Sequence, residues 1–240
     1  MPFQRKKRTE AGSPPKRAIK QKAKQMGARG RVVSPSTKIA VLASGGFDSN
    51  VLISELLRSH ASVYPVYVRC GLVWEKAEIH WLIKYLNRLK NRKLKPLTVL
   101  DLPVADFDRK GWSVTGRGTP DRRSHDREVF LLGRNLLLLS KAATFCASKK
   151  IPRIALGTLG SNPFPDATPD FFRHFEKTAG MALGFPIKIL TPFARLKKSQ
   201  VARKAEGLPL HLSFSCLAPR GTKPCGRCNK CAELEALLDG

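Results

Sequence analysis

Residues 38–54 read KIAVLASGGFDSNVLIS. Lys38 to Ala43 has the length and apolar content of a buried strand. From about Ser49 to Arg58, Val51, Leu52 and Leu56, with Ile53 beside them, recur on one face of a helix. Between strand and helix stand Ala43, Ser44, Gly45, Gly46, Phe47, Asp48, Ser49 and Asn50. In an open α/β sheet, ligands sit beyond the carboxyl ends of the strands. A turn there offers free backbone N–H groups and the positive end of the following helix, so it suits an anion. Gly45 and Gly46 let the chain bend and let a phosphate approach the backbone. Ser44 and Ser49 add hydroxyl donors. Asp48 is an acid in an anion site, which makes sense if it orients the loop or helps hold Mg²⁺ on the phosphates. A Walker loop is excluded because no Lys closes the turn. A dinucleotide fingerprint is excluded because the glycines are adjacent rather than spaced G-x-G-x-x-G. A bare glycine pair would read as a plain turn; the full string Ser-Gly-Gly-Phe-Asp-Ser is far more specific.

Outward from this stretch, strands and helices alternate. Ser62 to Arg69 is β-rich, with Pro65 making it less regular. Trp81, Leu82, Tyr85, Leu86 and Leu89 recur at helical spacing between Trp74 and about Lys90. Leu97–Leu102 reads as a strand and residues 103–128 as a long polar loop of the kind that often serves as a lid or binding loop. Helices are expected from Asn135 to about Lys149, near Phe171 to Thr178, over Lys198 to Glu206 and from about Asn229, with Gly207 at a C′ position. Further strands are expected at Ile151–Gly157 and Ile187–Leu190. This order predicts an α/β fold, a doubly wound parallel sheet.

Cys216, Cys225, Cys228 and Cys231 have eight, two and two residues between them. Thiolates at this spacing can share one tetrahedral Zn²⁺, and a four-thiolate site is closed, hence structural. Free or redox cysteines are the weaker alternative. Cys146 reads as a small core residue; Cys70, at a strand end, reads the same way but lies close to the presumed nucleotide site.

Forty-four basic residues face eighteen acidic ones, for a net charge of +26. Residues 1–38 hold twelve Lys/Arg and Glu10 alone, a net of +11. The segment 1–37 has no hydrophobic period and reads as a disordered basic tail, either solvated or a loose nucleic-acid arm. It lacks the apolar core of a secretory signal, faintly resembles an organellar transit peptide, and leaves Met26 open as an alternative start. No run approaches the roughly 20 apolar residues of a membrane span, so no membrane is expected. A reducing compartment is expected, favouring metal over disulfides.

The turn resembles the PP-loop, S-G-G-x-D-S, of the N-type ATP pyrophosphatases. Together with the terminal cysteines it resembles the 7-cyano-7-deazaguanine synthase (QueC) family. Val129–Ser140, VFLLGRNLLLLS, is similar to the family's G-R-N before an apolar helix, through Gly133, Arg134 and Asn135. Gly157, Phe164-Pro165-Asp166 and the stretch from Thr191 to Lys198-Ser199-Gln200 fit more loosely. The resemblance covers about residues 38–238. It implies a PP-loop domain at 38–207, a zinc-binding segment at 208–240, a cytoplasmic ATP-dependent carbon–nitrogen ligase and a homodimer. It implies ATP and Mg²⁺ on residues 43–50, and 7-carboxy-7-deazaguanine and ammonia as substrates. Gly133, Arg134, Asn135 and Asp166 are then placed near the substrate. Arg134 is suited to a carboxylate or phosphate; otherwise it is a helix-start surface residue. Asn135 is alternatively a helix cap, and Asp166 alternatively an anchor of its own loop.

The second strand departs from the family. Where D-Y-G-Q and a histidine are expected, Val68-Arg69-Cys70-Gly71-Leu72-Val73-Trp74 stands here. Glu75 and Glu78 are spaced differently, and His80 reads as a helix-face residue. The loop before G-R-N is unusually charged. These changes leave open a relative that stops at the amide or makes another conjugate. Two further readings are a PP-loop enzyme acting on tRNA, and a non-catalytic nucleic-acid binder.

Overall fold

The computed structural model describes residues 38–238; the basic segment 1–37 lies outside the described residues. Five parallel strands form one sheet in the order β3-β2-β1-β4-β5. They are β1 (Lys38–Leu42), β2 (Ser62–Arg69), β3 (Thr98–Asp101), β4 (Arg153–Ala155) and β5 (Lys188–Leu190). The helices are α1 (Phe47–Ser59), α2 (Glu75–Leu89), α3 (Trp112–Thr115), α4 (Arg134–Ser148), α5 (Pro169–Leu183), α6 (Lys198–Lys204) and α7 (Asn229–Leu238).

Period-two alternation sends apolar residues to both faces, as a sheet covered on each side requires. Ile39 and Val41 pack with Leu52, Leu82, Tyr85 and Val201 on the α1/α2/α6 face. Ala40, Val66 and Val68 pack with Leu139, Ala142 and Phe172 on the α4/α5 face. Phe214, Cys216 and Leu217 join that second cluster, so the cysteine segment is built into the main core.

Pro65 does not end β2, but it marks a change of partner: β2 pairs with β1 over Ser62–Val66 and with β3 over Val66–Arg69. The reason lies opposite it. Val63 N–H donates to Lys93 O and Lys95 N–H to Val63 O, and regular β3 pairing resumes only at Thr98. Pro65 therefore lacks its donor where β3 offers no regular partner. The expected long loop needs correction. Residues 103–128 contain α3, run into a 3-10 turn at Asp126–Val129, and dock on the cysteine segment through an antiparallel bridge between Asp121 and Cys228. Helix α5 is longer than the expected 171–178 because Thr168 caps it, accepting from Phe171 N–H, with Pro169 at its first position.

Candidate active site

The strand order reverses between β1 and β4, which opens a crevice at their carboxyl ends. The glycine turn follows β1 directly into this crevice. Gly45 takes φ +78°, and a Cβ there would meet Glu78 O of α2 at 3.1 Å. Only glycine satisfies both conditions. Gly157, just after β4, lies so close to the Asp48 backbone that a Cβ would stand 3.3 Å from it. The turn is pinned from behind: Asn50 Nδ2 donates to Gly45 O (3.1 Å) and Ser213 Oγ (3.0 Å), and Phe214 N–H donates to Gly45 O (2.9 Å). Ser49 Oγ accepts from Ser44 N–H at 3.1 Å, and Ser44 Oγ from Gly46 N–H at 3.3 Å. The first N–H groups of α1 face the crevice without intrahelical partners.

Asp48 forms one end of an ion-pair chain. Lys198 Nζ of α6 donates to Asp48 Oδ2 at 2.6 Å and to Glu233 of α7 at 2.9 Å. Lys230 Nζ donates to the other oxygen of Glu233 at 2.7 Å. Burial raises the Asp48 pKa, and the charge of Lys198 only partly offsets this. Burial pulls Lys198 down, but Asp48 and Glu233 outweigh it and the net shift is upward. Asp48 Oδ1 and Thr158 Oγ1 are buried here with no hydrogen-bond partner. Such orphaned oxygens call for an explanation. A divalent ion on phosphates fits Asp48 Oδ1, because it takes oxygen ligands and the cation already present occupies only Oδ2.

These groups form one end of a cavity of about 360 Å³. The other end is walled by Trp74, Trp112, Leu131, Arg134, Asn135 and Phe164. Trp74 and Trp112 stack with centroids 5.6 Å apart and planes at 28°. Val73 N–H donates to Ser113 O, which ties the exit of β2 to the 103–128 segment. Glu75 accepts from Cys70 and Gly71 N–H and so fixes that exit. Between the two ends, Glu78 accepts from Tyr67 OH at 2.6 Å. Burial pushes the Glu78 carboxyl up to about 7 against the opposing charge of Arg134.

The Sγ atoms of Cys216, Cys225, Cys228 and Cys231 all lie within 4.8 Å of one another. Thiolates about 2.3 Å from one tetrahedral ion stand roughly 3.8 Å apart, and Cys225 and Cys231 are at 3.9 Å. Backbone N–H groups of Leu217 and Cys225 point at the sulfurs of Cys228 and Cys216, as outer-sphere donors to ligating thiolates do. The donor set fits one metal ion.

A family described as Queuosine biosynthesis protein QueC matches residues 38–238. The chain belongs to the QueC family. A 7-cyano-7-deazaguanine synthase 1 of Desulfitobacterium hafniense (strain Y51) is 30% identical over 206 residues, covering 84% of this chain and 91% of that protein. A 7-cyano-7-deazaguanine synthase of Leptospira interrogans serogroup Icterohaemorrhagiae serovar copenhageni is 28% identical over 211 residues, covering 82% and 85%. Among solved structures, the U34-tRNA thiolase NcsA of Methanococcus maripaludis, with its 4Fe-4S cluster, overlaps with a TM-score of 0.45 at 14% identity, covering 93% of this chain and 73% of that one.

In this QueC-family chain Ala43, Ser44, Gly46, Phe47, Asp48 and Ser49 line the cavity. Gly45 and Asn50 stand behind it. Arg134, Asn135 and Asp166 line it too, whereas Gly133 does not; Gly133 caps α4 at φ +64°. The Asp166 carboxylate accepts from Asn135 N–H at 2.8 Å and from its Nδ2 at 3.4 Å, so it anchors the start of α4. His80 lies edge-on to Trp81, away from the cavity lining. Cys70 and Cys146 are buried, and burial pushes their thiols up to about 11 and about 12. Sequence reasoning missed Tyr67, Thr158, Trp112, Lys230 and Glu233 as site residues. It noted Glu78 only as displaced and Lys198 only as part of a matching segment. The single available signal was the loop's charge and its tryptophan.

Proposed function

We propose that this chain is an ATP-dependent carbon–nitrogen ligase that converts 7-carboxy-7-deazaguanine and ammonia to 7-cyano-7-deazaguanine. The observation that carries this reading is one cavity with a cation-lined phosphate turn at one end and Arg134 between aromatic walls at the other. Residues 43–50 hold the β- and γ-phosphates through backbone N–H groups, Ser44 and Ser49. Lys198 stabilises the departing pyrophosphate, and Glu233 keeps its ammonium in place. Asp48 would hold Mg²⁺ through Oδ1, and the ion would supply neutralisation of phosphate charge there. Arg134 orients the substrate carboxylate, whose oxygen attacks the α-phosphorus and displaces pyrophosphate. Ammonia then attacks the acyl carbon, AMP leaves, and the amide forms. Glu78, poised near neutrality, takes the proton that the attacking nitrogen sheds. A second adenylation on the amide oxygen, with loss of AMP and the remaining N–H protons, gives the nitrile. The cysteine cluster takes Zn²⁺ and holds α7, with Lys230 and Glu233, against the turn.

A divergent relative is the second reading, favoured by the Trp74–Trp112 wall where the family pattern differs. It would stop at the amide or join the acyl group to another amine. Purified protein with Mg-ATP, 7-carboxy-7-deazaguanine and ammonium, followed by mass spectrometry, separates the two. AMP with the nitrile is expected. AMP with amide alone, or an adduct, would establish the second reading; no substrate-dependent AMP would reject both.

A further inference from the structure

The small-molecule reaction uses cations inside the cavity, yet two strongly basic stretches of the described residues lie largely outside it. Lys84 to Lys95 contains six basic residues and no acid, and Cys216 to Cys231 contains four and no acid. Structure brings parts of these two segments together. Trp81, Lys84 and Arg88 share one face of α2 by their spacing. The Trp81 indole N–H donates to Thr222 O at 2.7 Å, and Lys84 Nζ stands 4.6 Å over the same ring. Thr222 sits at the tip of a hairpin closed by the Arg220–Lys223 bridge. Arg227 lies in the adjoining turn, where Arg122 of the 103–128 segment donates to Gly226 O at 2.7 Å. Lys84, Arg88, Arg220, Lys223 and Arg227 are all exposed.

We propose that this surface, formed by the α2 face and the cysteine knuckle, binds the phosphodiester backbone of a nucleic acid. Its cations come from separate elements and do not converge on one point. Lys84 and Arg88, one helical turn apart, stand about 6 Å from each other. That spacing suits successive phosphates of a strand rather than a single small anion. The acids that accompany the surface are already engaged. Glu235 pairs with Arg122 at 2.8 Å, and Asp121 accepts from Arg123 and Ser124 N–H. The metal knuckle thus has two faces: an inner one carrying α7 to the cavity and an outer one presenting charge. The assignment stands apart from the proposed ligase chemistry.

The test titrates the full chain into a labelled, unmodified tRNA transcript and into duplex DNA of equal length, at about 50 to 300 mM KCl. One variant combines Lys84→Gln, Lys223→Gln and Arg227→Gln. A matched control combines Lys149→Gln, Lys177→Gln and Arg203→Gln at exposed positions elsewhere. The surface variant should lose at least about tenfold in affinity at ~100 mM KCl and flatten the log–log salt slope by about 2 to 3. The control should change neither, and metal content and AMP formation should stay at wild-type values in both. A loss with RNA alone, or with both nucleic acids, supports the surface and identifies the source of the backbone. Equal losses in both variants, or none in the surface variant, overturn it. Lys84→Gln alone, remote in sequence from the cysteines, should reduce the slope by about 1 and keeps the test valid if the triple variant folds poorly.

Discussion

At one end of the cavity the glycine turn is made by local backbone geometry; at the other, the wall of Trp74 and Trp112 is assembled by packing between distant segments. Gly45 is fixed by a positive φ and a close approach to α2. Trp112 is fixed by the Val73–Ser113 hydrogen bond and by stacking on Trp74. The first construction tolerates almost no change. The second can change its side chains while keeping its shape. Substitutions at the first end should therefore stop chemistry, and those at the second should retune it.

The largest effect is expected at Lys198. Lys198→Ala removes the cation shared by Asp48 and Glu233, leaving Asp48 without its ion-pair partner and Glu233 with Lys230 alone. Turnover should fall on the order of a thousandfold, the scale of losing a transition-state charge partner, with the thermal midpoint shifting far less than activity. Glu233→Gln, which keeps the shape but weakens the hold on Lys198, should raise KM for ATP several-fold and retain most of kcat. A loss in kcat equal to that of Lys198→Ala would show that Glu233 does more than position the lysine.

The cysteine knuckle comes next. Cys228→Ser, at a buried ligand position, should abolish stoichiometric metal binding measured by elemental analysis. Because α7 hangs on the knuckle, ATP affinity should fall with it. Structural zinc sites contribute folding energy outright, so the thermal midpoint should drop as well. Metal-free protein with unchanged stability and ATP affinity would separate the knuckle from the site.

Glu78 lies between the two ends and gives the pH test. Its folded pKa of about 7 stands above the ordinary 4.5. Between those values the folded state keeps a proton that the unfolded state has lost. Stability contributed by Glu78 is therefore full below about pH 4.5 and is lost as pH rises through 7, by up to about 3 kcal/mol. Glu78→Gln should flatten that slope in denaturant titrations from pH 5 to 8. It should also lower kcat about a hundredfold and erase an acid limb near neutral pH. Retention of the limb would place its titration on another group.

How far the sequence could be read follows the same division. The strand–turn–helix of residues 38–58, the parallel order and the cysteine spacing depend on local pattern, and all were legible. The irregularity expected at Pro65 is there, confined to the β3 side, and its irregular partner at residues 95–97 is visible only once β2 and β3 are paired. The segment 103–128 misled because its polar composition hides a docking role: the Arg122 guanidinium donates to Gly226 O, Ser124 O accepts from Asn229 Nδ2, and Asp121 forms a β-bridge with Cys228. Lys198, Lys230 and Glu233 were hidden for a third reason. Lys198 reaches Asp48, and Glu233 and Lys230 extend that chain, from helices that follow it by more than a hundred residues, and no spacing rule links them.

A smaller effect is expected where the wall is retuned. Trp112→Ala should raise KM for the base about tenfold and leave KM for ATP near its wild-type value. Equal changes in both constants would mean that the wall also holds the nucleotide.

Cys70 should give the smallest effect of all, and its near-silence matters most for choosing among PP-loop chemistries. A sulfur-transferring enzyme needs a thiolate that can reach the adenylated carbon. Cys70 stands 5% exposed, and burial pushes its thiol up to about 11, with Glu75 adding to the rise. It is not among the residues lining the cavity, and its backbone N–H is already committed to Glu75. Cys70→Ala should thus keep AMP formation within about twofold of wild type and cost no more than about 1 to 2 kcal/mol of core packing. Such near-silence would fit the proposed reaction, in which ammonia and not a protein thiol is the nucleophile. If Cys70→Ala abolished product while ATP still bound, the division between the two ends of the cavity would fail, because the exit of β2 would then carry chemistry rather than shape.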